Sequence, residues 1–171
     1  VNIKEKCGHW KDGGIRIYGD GAEGLLRLFL SAWDFTVGET TDHTSAFLER
    51  EKTDVDDGGI YVPFGSGPAP VYSQKVGKNL LLNIINQATR YVYVTTPYLI
   101  MDYELTEALC KASLRGVKVK IITPGIADKR IVKVMTKSSY PYLIKNGVEI
   151  YEYLPGFIHE KTLISDDKYL I

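Results

Sequence analysis

Long apolar runs, paired cysteines and an excess of either charge are all missing from this chain. No apolar stretch approaches the ~20 residues that a bilayer-spanning helix needs, and no signal peptide is visible. Cys7 and Cys110 are too few and too far apart for a disulfide framework, and neither stands at a metal-ligand spacing. A reducing compartment is the simplest reading. Lysine plus arginine number 21 and aspartate plus glutamate number 21, so the formal net charge is zero. The broad positive field that clamps a nucleic-acid backbone is therefore absent, and no nucleic-acid partner is expected. The Lys- and Arg-rich stretch from Lys111 to Lys137 reads as a solvated helix surface. No internal repeat is visible.

What is present is an ordinary globular composition, with 171 residues, 44% of them hydrophobic and 25% charged, enough for one or two small domains with a real core. Ile15–Tyr18 alternates as a short strand. From Asp20, a helix cap, the period changes, and Ala22, Leu25, Leu26, Phe29, Leu30 and Trp33 fall on one helical stripe. Residues 38–57 read as loop with a short helix near Ser45–Glu51, Ile60–Phe64 as a strand, and Gly65–Pro70 as a connector. Val76, Leu80, Leu81, Ile84, Ile85 and Ala88 mark a second helix, and Tyr91–Thr95 a strand. Asp102 caps a third helix that turns Leu105, Ala108, Leu109 and Ala112 inward and stops at Gly116. Val117–Ile122 is a strand, Asp128–Lys145 is helical with a break at Pro141, and Gly147 ends it. Val148–Tyr153 and Ile158–Ser165 complete the strands. Helices alternating with strands predict an α/β fold, a sheet covered by helices on its faces.

The chemistry concentrates in His159-Glu160-Lys161-Thr162-Leu163-Ile164-Ser165-Asp166, an H-x-K-x-x-x-x-D pattern. On a strand, side chains at i and i+2 share a face, so an imidazole and an ammonium would point into the same space. One can be nucleophile or proton carrier while the other neutralises an anion, a pairing suited to attack on a phosphate. Taken alone, His159 reads first as a half-buried strand histidine and Lys161 as a surface lysine. Asp166 lies past the reacting face and reads as an anchor for the motif.

The surroundings add a family likeness. Gly147-Val148-Glu149-Ile150-Tyr151-Glu152-Tyr153 runs through a Pro155-Gly156-Phe157 turn into His159-Glu160-Lys161. Gly65-Ser66-Gly67-Pro68, Thr96-Pro97-Tyr98-Leu99 and Trp10-Lys11-Asp12, followed by Arg16, Gly19, Phe29 and Trp33, belong to the same pattern. On these residues the chain resembles the phospholipase D superfamily, in the form found in bacterial cardiolipin synthases. The likeness covers nearly the whole chain and is weakest from Glu39 to Asp57. That superfamily builds one active site from two such motifs. This chain carries one, since His9 and His43 head no second H-x-K-x-x-x-x-D. The Gly-Ser/Thr-x-Asn segment expected after Asp166 is also missing. The expectation is a piece of a longer protein, a phospholipase D-like mixed sheet flanked by helices and incomplete at both ends. Residues 1–53 would end a first half, 54–70 would connect, and 71–171 would form a truncated second half.

The resemblance implies a two-step exchange at phosphorus that uses no metal and no cofactor. One motif's histidine holds the phosphatidyl group as a phosphohistidine, while the other's protonates the departing alcohol and deprotonates the incoming one. His159 is assigned the acid/base part, and Lys161 the charge on the non-bridging oxygens. Asp12 is assigned to orient the histidine of the missing first motif. Ser66 is a candidate for lining the phosphate region, against a plain connector. Tyr98, just past a strand end, is a candidate pocket residue, against a packed tyrosine. Phe157, in the apolar turn Leu154–Ile158, is a candidate for membrane contact, against burial in the core.

The implied parent is a membrane-bound bacterial enzyme with its catalytic part on the cytoplasmic side, joining two phosphatidylglycerols into cardiolipin and glycerol. Its partners are that anionic phospholipid, the membrane surface and the missing first motif of the same chain. The fragment itself is expected to be soluble and inactive. The rivals are another phospholipase D-type phosphodiesterase or phosphatidyltransferase, and a non-catalytic interaction domain with a vestigial motif.

Overall fold

A computed structural model of the chain describes residues 3, 4, 8–19, 21–40, 42, 58–67, 72 and 74–171. Its strands are β1 (Ile3–Lys4), β2 (Gly8–Lys11), β3 (Tyr91–Thr95), β4 (Lys118–Pro124), β5 (Glu149–Tyr153), β6 (Phe157–Ile158), β7 (Thr162–Ser165) and β8 (Tyr169–Leu170). Its helices are α1 (Gly21–Val37), α2 (Val76–Gln87), α3 (Tyr103–Leu114), α4 (Arg130–Ser138) and α5 (Tyr140–Lys145). Two compact units form, one from Val1–Gly14 with Lys78–Ile171 and the other from Ile15–Gly77. No helix among the described residues is long and apolar enough to cross a membrane.

The first unit is organised by a five-stranded sheet in the order β5-β4-β3-β7-β8. β3, β4 and β5 run parallel, and β7 and β8 run antiparallel to their neighbours. The β-branched and aromatic run Tyr91-Val92-Tyr93-Val94-Thr95 suits a central strand. Parallel neighbours need a crossover, and α3 supplies the one between β3 and β4. Val92, Val119, Ile121 and Leu163 from the strands are buried with Ile85, Leu109, Ala112 and Leu143 from the helices. Asp102 caps α3 by accepting from Leu105 N at 3.0 Å. At the far end, Gly116 takes a positive φ of 90°, and Val117 N donates back to Ala112 O at 3.1 Å. Gly147 closes α5 in the same way, so both stops are αL glycine caps. Pro141 stands in the first turn of α5, which is why the predicted long helix is two short ones. A second, three-stranded sheet in the order β1-β2-β6 belongs to the same unit.

In the second unit α1 is the regular element, with the predicted start and period. None of its residues is buried, and Leu25, Phe29 and Trp33 of the expected core stripe are exposed. Pro63 and Tyr61 lie against the helix at Gly24 and Gly21, where a Cβ would come within 2.9 Å of Pro63 Cγ and 3.7 Å of Tyr61 Cβ.

Three strand readings need correction. Ile15–Tyr18 and Ile60–Phe64 are irregular, because alternation without a ladder partner satisfies no backbone groups. Ile158–Ser165 is not one strand. It divides into β6 and β7, which belong to different sheets, and residues 159–161 lie between them. Cys7, the Asp20 cap, the short helix at Ser45–Glu51, His43, Pro68 and Pro70 lie outside the described residues. Cys110 is buried in α3, and that burial pushes its thiol pKa up.

Candidate active site

The site grows from the parallel pairing of β2 with β6, where Trp10 stands opposite Phe157 and Lys11 opposite Ile158. Alternation along each strand then puts Trp10 and Asp12 on the same side as Phe157 and His159. The Trp10 and Phe157 rings meet at 4.7 Å between centroids, and Trp10 lies 5.1 Å from the His159 ring. Asp12, expected beside the histidine of the missing first motif, lies instead against His159, its Oδ1 3.2 Å from Nδ1, because β2 pairs in parallel with β6. His9-Trp10-Lys11 repeats the H-x-K spacing, with Arg16 where the aspartate would be. As alternate neighbours of Trp10, His9 and Lys11 project from the other face of β2 and are exposed there.

Beyond His159 the ladder ends. His159 N and Glu160 N both donate to Lys11 O, at 2.8 and 3.2 Å, and the chain then crosses to β7 in the larger sheet. The predicted strand face is therefore a crossover, yet it brings the predicted pair together. Lys161 Nζ donates to His159 O at 2.8 Å and stands 3.1 and 3.4 Å from the two ring nitrogens. Among the described residues no carboxylate pairs with Lys161, so its charge is available to an incoming anion. Gly13 matters next to Asp12, since a Cβ there would lie 2.8 Å from Glu160 Oε1. An imidazole backed by a carboxylate and flanked by an unpaired ammonium can move a proton while the cation holds an anion.

Asp166 is placed elsewhere. It lies five residues past Lys161, about 16 Å along an extended chain. Its carboxylate accepts from Thr89 N at 2.8 Å, Thr89 Oγ1 at 2.9 Å, Arg90 N at 3.0 Å and Tyr91 N at 2.9 Å. Those backbone donors, Tyr91 and Thr89 foremost, hold its pKa well below the ordinary aspartate range. Asp166 and Asp167 adopt positive φ values of 56° and 57°, a conformation that short acidic side chains tolerate. The clasp ties the end of β7 to the start of β3. It fixes the strand that follows Lys161 and does not reach the His159–Lys161 pair.

The remaining predicted residues separate. Tyr98 lies beside the site, its ring 6.4 Å from Phe157 and its hydroxyl donating to Asp128 Oδ2 at 2.7 Å. Ser66 belongs to the unit 15–77, where Gly65 and Gly67 pass beneath the Tyr72 ring. Phe157 is only 1% exposed, packed between Trp10 and Tyr98, so it is not available to a membrane surface. The same inward alternation that places His159 beside Trp10 turns Phe157 into the core. Sequence reasoning missed Trp10 as a wall of the histidine; its apolar ring beside Asp12 was the signal. It also missed an apolar cavity of about 260 Å³, lined by Leu81, Val94, Leu99, Leu105 and Leu163, with Lys161 in its wall.

Comparison with known proteins gives a consistent set of likenesses. The family described as cardiolipin synthase, phospholipase D-like domain, matches residues 81–171. An uncharacterized protein of Streptococcus mutans is 40% identical over 168 residues, which cover 98% of this chain and 35% of that protein. A cardiolipin synthase of Halalkalibacterium halodurans is 35% identical over 162 residues, covering 94% of this chain and 31% of that protein. The chain thus spans about a third of the length of these relatives. Among solved structures, Nuc from Salmonella typhimurium, a phospholipase D family member, is similar at 24% identity and a TM-score of 0.42, over 53% of this chain and 57% of that one.

Proposed function

The chain belongs to the cardiolipin synthase, phospholipase D-like domain family, and from that membership we propose that it carries one half of a phosphatidyltransferase site. The carrying observation is the constellation of His159, Lys161 and Asp12. A histidine from outside this chain attacks the phosphorus of phosphatidylglycerol and the bond to glycerol oxygen breaks. His159 gives its proton to that oxygen, and glycerol leaves. A hydroxyl of a second phosphatidylglycerol then gives its proton to His159 and attacks phosphorus. The P–N bond breaks, and cardiolipin and the free histidine result. Splitting one displacement into two lowers each barrier.

Asp12 accepts from Nδ1–H and so keeps Nε2 as the nitrogen that moves the proton. Lys161 keeps one N–H on His159 O and turns the others to the non-bridging oxygens, whose charge grows in the transition state. The apolar cavity beside Lys161 favours a lipid over a nucleic acid, as does the zero net charge. On this reading residues 1–53 end one half and 71–171 form most of the second, so Asp12 reaches across the connector to serve His159. The parent works at the cell membrane, and the chain alone is inactive.

The test uses full-length enzyme with phosphatidylglycerol, products resolved by chromatography. His159→Ala should cut cardiolipin and glycerol formation by about 10²- to 10⁴-fold, the range for a general acid–base group. Unchanged turnover would end the proposal. Phosphatidic acid in place of cardiolipin would keep the chemistry and make the enzyme a hydrolase.

A further inference from the structure

α4 turns most of its apolar side chains outward, with Val132 alone of them half-buried. At 100° per residue its inward side carries Thr136, whose hydroxyl accepts from Leu99 N at 3.2 Å, and Lys133, which meets Pro124 O and Glu152 Oε1. Its outward side carries Ile131, 78% exposed, Val134, 70% exposed, and Met135, 47% exposed. Surface helices normally turn such residues to the core. Leu154 adds to the patch: it is 72% exposed, and its Cδ2 lies against Gly125, at the head of the loop that leads into α4.

The exposed charges on the helix itself are basic, with Asp128 just before it and Glu152 pairing Lys133 at 2.6 Å and Lys137 at 3.5 Å. Arg130 and Lys137 are exposed along the helix, Lys129 precedes it, and the sequence Arg130–Ser138 contains no acidic residue. Lysine and arginine stems can lie along an apolar surface while their heads reach phosphate level. A short row of exposed apolar side chains edged by cations is the pattern of a helix lying in a membrane interface.

We propose that the outward face of α4, with Leu154, docks on an anionic phospholipid bilayer. The position suits the site. Asp128, two residues before α4, accepts from Tyr98 OH, and the Tyr98 ring neighbours Phe157, whose ring is 6.2 Å from that of His159. Docking there sets the reacting groups a few side chains from headgroup depth. The inference rests on the phosphatidyl-transfer reading for its choice of lipid, while its test involves no turnover.

The experiment is co-sedimentation of the 171-residue chain with vesicles of phosphatidylglycerol in phosphatidylcholine, against phosphatidylcholine alone. Binding should need the anionic lipid, weaken with salt, and fall about tenfold or more in Ile131→Asp/Val134→Asp, which removes the apolar insertion. Both positions are exposed, so far-ultraviolet circular dichroism should be unchanged. Should that variant misfold, Val134→Trp decides: its added emission should shift to the blue with anionic vesicles. Absence of binding, an unshifted Val134→Trp spectrum, or full binding by a folded double variant overturns the proposal. So does a wild-type dimer that the double variant turns into monomer, which would mean a second copy covers the face. Activity of full-length His159→Ala reads the transfer mechanism separately, so either claim can fail alone.

Discussion

Asp12 and His159 stand 147 positions apart in the chain, yet Oδ1 of the one lies 3.2 Å from Nδ1 of the other. The contact follows from backbone pairing, since β2 and β6 run parallel and both residues fall just past their strands on the same side. A carboxylate on Nδ1 selects the tautomer, so on the proposed mechanism Asp12 would act through the imidazole.

Asp12→Asn in full-length enzyme should therefore lower kcat by about 10²-fold or more while leaving the thermal midpoint near the wild type, because the amide can offer Nδ1 a donor and invert the tautomer. Asp12→Glu should recover part of the rate. Steady-state kinetics beside thermal denaturation checks both, and a KM effect alone would mean Asp12 only packs.

Lys161 has no carboxylate partner among the described residues, so removing it should cost catalysis more than folding. Lys161→Met should reduce kcat by about 10²- to 10³-fold, the usual effect of losing one oxyanion donor. Lys161→Arg should retain some activity. The measurement is turnover of phosphatidylglycerol with the midpoint of urea unfolding as control.

Asp166 should behave in the opposite way. Its carboxylate takes four donors from Thr89, Arg90 and Tyr91, which lowers its pKa from the ordinary 3.8. A group whose folded pKa is depressed contributes stability above the unfolded value and loses it as pH falls through the folded one. Asp166→Asn should thus lower the thermal midpoint at neutral pH by about 2–6 °C. The two curves should converge as pH drops below 3.8. Calorimetry across that range checks it; a constant gap would assign the effect to shape rather than charge.

Phe157 is predicted to matter for packing. With Trp10 on one side and Tyr98 on the other, Phe157→Ala should destabilise the chain by about 3–5 kcal/mol, as for other buried aromatics. Denaturant unfolding of the chain measures this directly. A cost under about 1 kcal/mol would mean the Trp10 wall collapses to refill the space.

Much of the second half was legible from one dimension. The Asp102 cap, the Gly116 and Gly147 stops, the Pro141 break and the strand Tyr91–Thr95 are local, and local chemistry decides them. The pair His159 and Lys161 was legible too, because both lie in one short window and meet there although the segment is a crossover and not a strand. The expected strand alternation at Ile15–Tyr18 failed, since a strand exists only where a partner accepts its backbone groups.

Residue type and spacing therefore determined most of the helices, the central strands, the neighbouring pair His159 and Lys161, and the family. Tertiary structure alone decided which carboxylate serves His159, that Asp166 ties β7 to β3, that Phe157 is buried, and that α4 turns most of its apolar side chains outward. Each of those depends on strand pairing and helix facing between segments far apart in the chain. Such pairings are set by burial and backbone hydrogen bonding across the whole fold, and no short window of sequence contains both partners.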